Sequence, residues 1–292
     1  MQGALDHLSG LWKSSREHRM LNFHFEAVYE EIPAKPPDDR WTCRGKTTQV
    51  MIRISEWPDN HFRLWLPEKV GSFWDNWNPD VARQNFQASE NNGLTWAFHQ
   101  PDLARVEVEL TPLDNTVLLE TRVLNISSGD LKDVTAANCL QFGLALDFAC
   151  GDFARIYLRT GNEWSSLAAL DPKSDYPHYF RAGRNTAAQL AAARAAGRFK
   201  SPTGLDEDVE PDHPLLVCVA RDGDRSVGTA SDDFHCLFHN RANPHLWCMH
   251  SHQWPVQVLR PGNTAVFRQK VYFVEGGLSD CVAAYQADPV KD

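Results

Sequence analysis

Short runs in which apolar residues alternate with polar ones recur along the chain, and Pro, Gly, Asn or Asp punctuates most of the gaps between them. A period of two sends one set of side chains towards a core and the other towards solvent, the signature of a half-buried strand. Such runs fall at 47–54, 61–66, 93–100, 104–110 and 116–125, and again at 139–148, 214–220, 233–240, 245–253 and 264–274. Closely spaced strands with no long helical pattern between them predict antiparallel pairing. The expected fold class is therefore all-β: a large antiparallel β-sandwich of two packed sheets.

The run at 139–148 carries the most detail. Leu140, Phe142, Leu144, Leu146 and Phe148 share one side of it, and Cys139, Gln141, Gly143, Ala145 and Asp147 share the other. The first set is expected in the core. The second, small and polar, is expected to floor a groove, with Gln141 towards a ligand. One helix is predicted at 186–196, alanine-rich, with Thr186 in the capping position and Gly197 to end it, and it reads as a short surface insertion. The stretch 33–40 contains Pro33, Pro36 and Pro37 and is a loop, so residues 1–44 form an N-terminal arm, irregular or an edge strand. Residues 45–292 then form a single sandwich domain, because neither a fixed-period repeat nor a compositional break divides them.

Composition narrows the function classes. Apolar residues make up 42% and charged residues 23%, enough apolar material for a sizeable core. A net charge of −9 argues against polyanionic partners, so neither nucleic acid nor an anionic membrane surface is an expected partner. The 7 cysteines are too few and too odd in number for a disulfide framework in a chain of 292 residues, which predicts reduced thiols. No apolar run reaches the roughly 18 residues of a membrane span, and Asp6, His7, Lys13, Arg16, Glu17 and Arg19 interrupt the first thirty residues, so a cytoplasmic location is expected.

Candidate chemistry concentrates in three places. His235, His239, His250 and His252 lie close together in sequence, and in a strand His250 and His252 share a side with Cys248 and Trp254. Imidazoles in this arrangement suit general acid–base work, or a divalent transition metal, or they are structural histidines bonded to backbone. The segment 73–79 holds Trp74 and Trp77 beside Asn and Asp, with Arg83 following; indole faces stack on the C–H faces of sugar rings while the polar groups read hydroxyls. The segment 176–184 carries Tyr179 and Arg181, which suit a sugar carboxylate, and Glu163 is an eligible base nearby. There is no GxSxG, GxGxxG, HExxH or Gly-rich phosphate loop, so the readings that depend on them lose support.

The strand order, the segment Val106-Glu107-Val108-Glu109-Leu110-Thr111-Pro112, the Asn125-Ile126-Ser127 turn and the closing Leu259-Arg260-Pro261-Gly262-Asn263-Thr264 together resemble the galactose-mutarotase-like supersandwich proteins, over residues 45–275. The resemblance implies a sugar bound in a broad groove on one sheet and, as in the mutarotases, a histidine acid with a glutamate base. His250 falls in a late strand and Glu275 follows the last one. The reading is a carbohydrate-active protein doing acid–base chemistry on a sugar ring or glycosidic bond, of epimerase, hydrolase or lyase type, with His250, His252 and His239 as catalytic candidates. Trp74, Trp77, Arg83, Gln141, Tyr179 and Arg181 are the candidate sugar contacts. A noncatalytic carbohydrate-binding protein, and a cupin-type enzyme whose histidines hold a divalent metal, are the alternatives. No other cofactor is expected.

Overall fold

The computed structural model describes residues 20–32, 45–75, 86–89, 92–148, 153–170, 178–182, 211–240 and 247–290. Within them the strands are β1 (Phe23–Ile32), β2 (Gly45–Ile54), β3 (Asn60–Val70), β4 (Trp74–Asp75), β5 (Gln87–Ala88), β6 (Leu94–Gln100), β7 (Ala104–Leu113), β8 (Thr116–Asn125), β9 (Leu131–Val134) and β10 (Ala136–Ala145). The chain continues through β11 (Ile156–Thr160), β12 (Glu163–Ser166), β13 (His178–Ala182), β14 (Leu216–Val219), β15 (Arg225–Ser231), β16 (Phe234–Asn240), β17 (Cys248–Gln253), β18 (Val256–Leu259), β19 (Thr264–Glu275) and a helix, α1 (Leu278–Ala287).

Two large antiparallel sheets result. The first runs β1-β2-β3-β10-β17-β16-β13 with β4 on β3, and the second runs β12-β11-β14-β15-β19-β8-β7-β6-β5; β9 and β18 form a separate ribbon. Their apolar faces meet in one core, with Ile52, Leu64 and Met249 from the first sheet against Val106, Val123 and Val271 from the second. Near its middle the rings of Trp57, Phe62, Phe148 and Phe273 meet at centroid separations between 5.1 and 6.4 Å, mostly edge to face, the arrangement the aromatic quadrupole favours. The all-β sandwich expected from alternation is the fold observed.

The two turns singled out in the sequence bond to each other. Asn125, fully buried, donates through Nδ2 to the carbonyls of Gly129 and Leu259, both at 2.8 Å, while its Oδ1 accepts from the Ser127 N–H at 2.9 Å. The Gly262 N–H donates to the Asn125 carbonyl at 2.8 Å. One side chain therefore pins the end of β8 to the Pro-Gly turn that launches β19, its neighbour in the sheet.

Three expectations are decided or altered. Residues 23–32 of the N-terminal arm are an edge strand, paired with β2 along its whole length from Phe23–Ile54 to Ile32–Gly45. On β10 the alternation holds for Leu140 and Phe142, but a register shift against β3 between Gln141 and Leu144 breaks it, leaving Leu144 39% and Leu146 67% exposed while Ala145 enters the core. A bulge changes which side a residue faces, and period-two reasoning does not carry across one. The third change is α1, whose stripe of Leu278, Cys281, Val282 and Tyr285 has helical spacing and packs on the far side of the second sheet against Leu215, Val217 and Tyr272. Its start is closed by the Gly277 N–H donating to Asp280 Oδ2 at 2.9 Å, and its end is tied down by the Tyr272 hydroxyl donating to the Asp288 carbonyl at 2.9 Å. The helix expected at 186–196 lies outside the described residues. No described helix is long and apolar enough to cross a membrane.

Close approach of α1 requires Gly228 on β15: a Cβ there would meet Cys281 Sγ at 2.7 Å and Leu215 Cδ1 at 2.9 Å. Gly228→Ala is therefore expected to destabilise the fold by about 1–3 kcal/mol in a urea melt, as overpacking does; an unchanged midpoint would mean that the helix docks more loosely. The loop before β14 yields a pH effect. His213 lies against Trp164 and Tyr285, its Nδ1 accepts the Leu215 N–H at 3.2 Å, and burial, reinforced by the Arg159 charge, lowers its pKa from 6.5 to about 4. The unfolded chain then holds more protons than the folded one between those values, so this residue's contribution is complete above pH 6.5 and is lost as the pH falls towards 4. His213→Asn keeps an acceptor and removes the titration; its unfolding free energy is expected to depend less steeply on pH across that window, and identical slopes in the two proteins would contradict the assignment.

Candidate functional site

The polar cluster nearest the middle of the first sheet grows from three adjacent strands, β3, β10 and β17. Residues directly opposite one another in an antiparallel ladder share a face. Leu140 stands opposite both Leu64 and Met249, and all three are in the core. Gln141 stands opposite Arg63 and Cys248, and Cys139 opposite Trp65, so these residues occupy the face turned away from the core. His250 and His252 follow Cys248 on β17 at the same period of two.

A second register shift brings in one more group. Between the pairs Ala137–Lys69 and Cys139–Trp65, β3 has three residues where β10 has one, and Glu68 is in that bulge. Its Oε2 lies 3.5 Å from His250 Nδ1. The opposite ring nitrogen, His250 Nε2, lies 3.1 Å from Cys248 Sγ. Gln141 Nε2 donates to Cys139 Sγ at 3.6 Å. The ligand atoms of Cys139, Cys248 and His250 all fall within 4.8 Å of one another. The His250 ring stacks on that of His252 at 5.2 Å, the two planes inclined by 24°, and is edge-on to Phe238 at 4.7 Å, so aromatic rings fix its plane.

The cluster is largely closed to solvent. Cys139, Gln141, Cys248 and His250 are buried, and His252 is half-buried. Burial pushes the Cys139 thiol well above its usual range, and the neighbouring Cys248 and the Glu68 carboxylate push it further. The same surroundings that oppose a bare thiolate favour a cation between the sulfurs. Chemically the group offers a carboxylate–imidazole pair for proton transfer and a soft N/S ligand set.

Several expected residues take other places. His250 is 3% exposed, so it does not look into a solvent-reached groove, although it lies on the face turned from the core. Gln141, at 1%, is buried too; it is on the expected side of β10 but touches a thiol instead of flooring an open groove. His239 is not part of the cluster: it pairs with Met249 on the core face, packs edge-on against Phe153, and has its Nδ1 3.0 Å from the Cys248 carbonyl. Along β13, Tyr179 pairs with His239 and Arg181 with Leu237, whereas Phe180 is opposite Phe238, the partner of His250. Trp74 pairs through β4 with Val70, close in sequence to Glu68. Trp77 and Arg83 lie outside the described residues. Glu163 is exposed on β12 and Glu275 pairs with Arg225, both in the second sheet. Glu68 and Cys139 were missed. Pro67 ended the strand reading one residue before Glu68, and a thiol inside a strand reads by default as packing.

An open cleft of about 720 Å³ lies elsewhere, between the start of β1 and the β5–β6 end of the second sheet, lined by Phe23, Phe25, Ser89, Leu94 and Asp114 among others. It brings together none of the cluster residues, and the titratable groups among its described lining residues are His24 and Asp114. The polar cluster is accordingly the better candidate site.

No protein-family model matches the chain, and no curated protein matches it in sequence. Solved structures do. A GalM/aldose epimerase homologue from C. elegans is 8% identical, with 86% of this chain and 100% of that one covered, at a TM-score of 0.50. A galactose mutarotase related enzyme from Lactobacillus acidophilus is 8% identical over 87% and 99%, at 0.46, and a galactose mutarotase-like protein from Lactobacillus casei ATCC 334 is 11% identical over 85% and 100%, at 0.46. At such identities the likeness is one of fold. With its two antiparallel sheets closed around one core, the chain has the galactose-mutarotase-like supersandwich fold.

Proposed function

We propose that the chain is a carbohydrate-active enzyme that moves protons at a sugar ring or glycosidic bond, with its substrate held against the outer face of the first sheet and its site of action in the cytoplasm. The observation that carries this reading is the stack of His252 on His250 with Glu68 behind it: a half-buried imidazole, a buried one 5.2 Å beneath it, and a carboxylate 3.5 Å from the buried ring. His252 is the member that solvent reaches, so it is assigned the proton exchange with substrate. His250 is assigned a positioning role, since its plane and the Glu68 contact fix what the outer ring stacks upon. Trp74, Trp77 and Arg83, which follow β3 in sequence, are the proposed sugar contacts; Tyr179 and Arg181, opposite His239 and Leu237 of the core face, are not carried forward, and Gln141 is reassigned to the Cys139 thiol.

The fold supports a sugar ligand only as an analogy, because one fold hosts many functions. The direct test is a screen of neutral and uronic-acid monosaccharides and oligosaccharides for mutarotation, hydrolysis and β-elimination, followed by two variants. His252→Ala is expected to lower kcat/KM by about 100-fold or more while leaving the melting temperature nearly unchanged. His250→Ala is expected to lower both, because a buried ring is removed from a packed stack. Sugars that raise the melting temperature with no turnover in any assay would make this a binding protein, and no response to any sugar would overturn the reading.

A further inference from the structure

The residues around His250 match a second chemistry that does not depend on any sugar. Two cysteines on adjacent strands, Cys139 of β10 and Cys248 of β17, turn their sulfurs towards one imidazole nitrogen, with all three atoms within 4.8 Å of one another. Tetrahedral coordination, with bonds of about 2.3 Å to sulfur and about 2.0–2.1 Å to nitrogen, sets ligand atoms about 3.5–3.8 Å apart. The cluster is of that size: His250 Nε2 lies 3.1 Å from Cys248 Sγ, and no pair of the three ligand atoms is more than 4.8 Å apart.

We propose that Cys139, Cys248 and His250 bind one soft divalent transition-metal ion, Zn²⁺ being the best match, with Glu68 and Gln141 orienting the ligands. Three features support it. First, His250 offers Nε2 to Cys248 Sγ while its Nδ1 faces the Glu68 carboxylate at 3.5 Å, the side from which a carboxylate orients a metal-bound imidazole. Second, Gln141 Nε2 already donates to Cys139 Sγ, as an outer-shell donor to a metal-bound thiolate does. Third, both thiols are buried with the imidazole on the face of the sheet turned from the core, close enough together to reach one ion. On binding, both thiols lose their protons to solvent, and the two thiolate charges balance the ion while the imidazole stays neutral. Three protein ligands leave a fourth position for water or another small donor, as catalytic zinc sites do. This set differs from a cluster of the four histidines, since His239 is on the opposite face of the sheet.

The test uses the full chain, reduced and stripped with a chelator, then titrated with Co²⁺ alone. One equivalent is expected to bind with a thiolate-to-cobalt charge-transfer band in the near ultraviolet, to release about two protons, and to be displaced by one equivalent of Zn²⁺. Cys248→Ser is expected to weaken the band strongly, Glu68→Gln to keep it with affinity lowered about 10–100-fold, and His99→Ala, an exposed residue of β6, to leave it unchanged. Should the serine variant not fold, the wild-type titration decides. A wild-type chain that binds no Co²⁺, that binds it without a thiolate band, or that has Cys139 and Cys248 joined in a disulfide overturns the proposal. Metal binding without any response to sugars upholds it and overturns only the carbohydrate reading.

Discussion

The two faces of β10 divide the molecule, because a strand in the interior of a sheet has no freedom to turn its side chains. Leu140 and Phe142 are held in the core opposite Leu64 and Met249, and this alone commits Cys139 and Gln141 to the other face, level with Cys248 and Trp65. A one-residue slip would bury Gln141 among leucines and turn Phe142 outward. Register in a central strand is therefore enforced by the whole hydrophobic core, and the placement of the thiols inherits that enforcement. The register shift two residues before Cys139 is as consequential, since the extra length of β3 there carries Glu68 to the His250 ring.

A cluster so placed is expensive for a fold to keep. Two thiols, an imidazole, a carboxamide and a carboxylate share a mostly closed space, whereas the equivalent positions on the opposite face are leucine, phenylalanine and methionine. Replacing buried polar groups with apolar ones of similar volume is often neutral or stabilising, so packing alone gives no reason for this composition. Contrast the outer face of the second sheet, where Glu120 pairs with Arg268 at 2.6 Å and Arg122 lies beside both Glu109 and Glu120, in partly exposed contacts of modest energetic weight. The charged face of one sheet and the thiol–imidazole face of the other represent different uses of the same architecture.

Most of the strand framework was legible in the sequence. The run at 116–125 is β8 to the residue, and the Asn125 and Pro-Gly turns proved to be bonded partners. What escaped had specific causes. The helix α1 was overlooked although Leu278, Cys281, Val282 and Tyr285 carry its spacing, because the long run of strands before it set the expectation. His239 was grouped with His250 on proximity in sequence, yet Leu237 shares its face and is in the core, which was a usable sign that this side points inward. Glu68 was out of reach: its role depends on a bulge formed with a strand some seventy residues away, and alternation within β3 contains no trace of that partner.

The central claim is that the buried face of Cys139, Cys248 and His250 is built for chemistry and not for packing. X-ray absorption at the zinc edge on protein loaded with one equivalent of Zn²⁺ tests it most directly. The account predicts a first shell with two sulfurs near about 2.3 Å and a nitrogen near about 2.0 Å, the shell losing sulfur in Cys139→Ser. A shell of nitrogen and oxygen alone, unaltered in that variant, would contradict it.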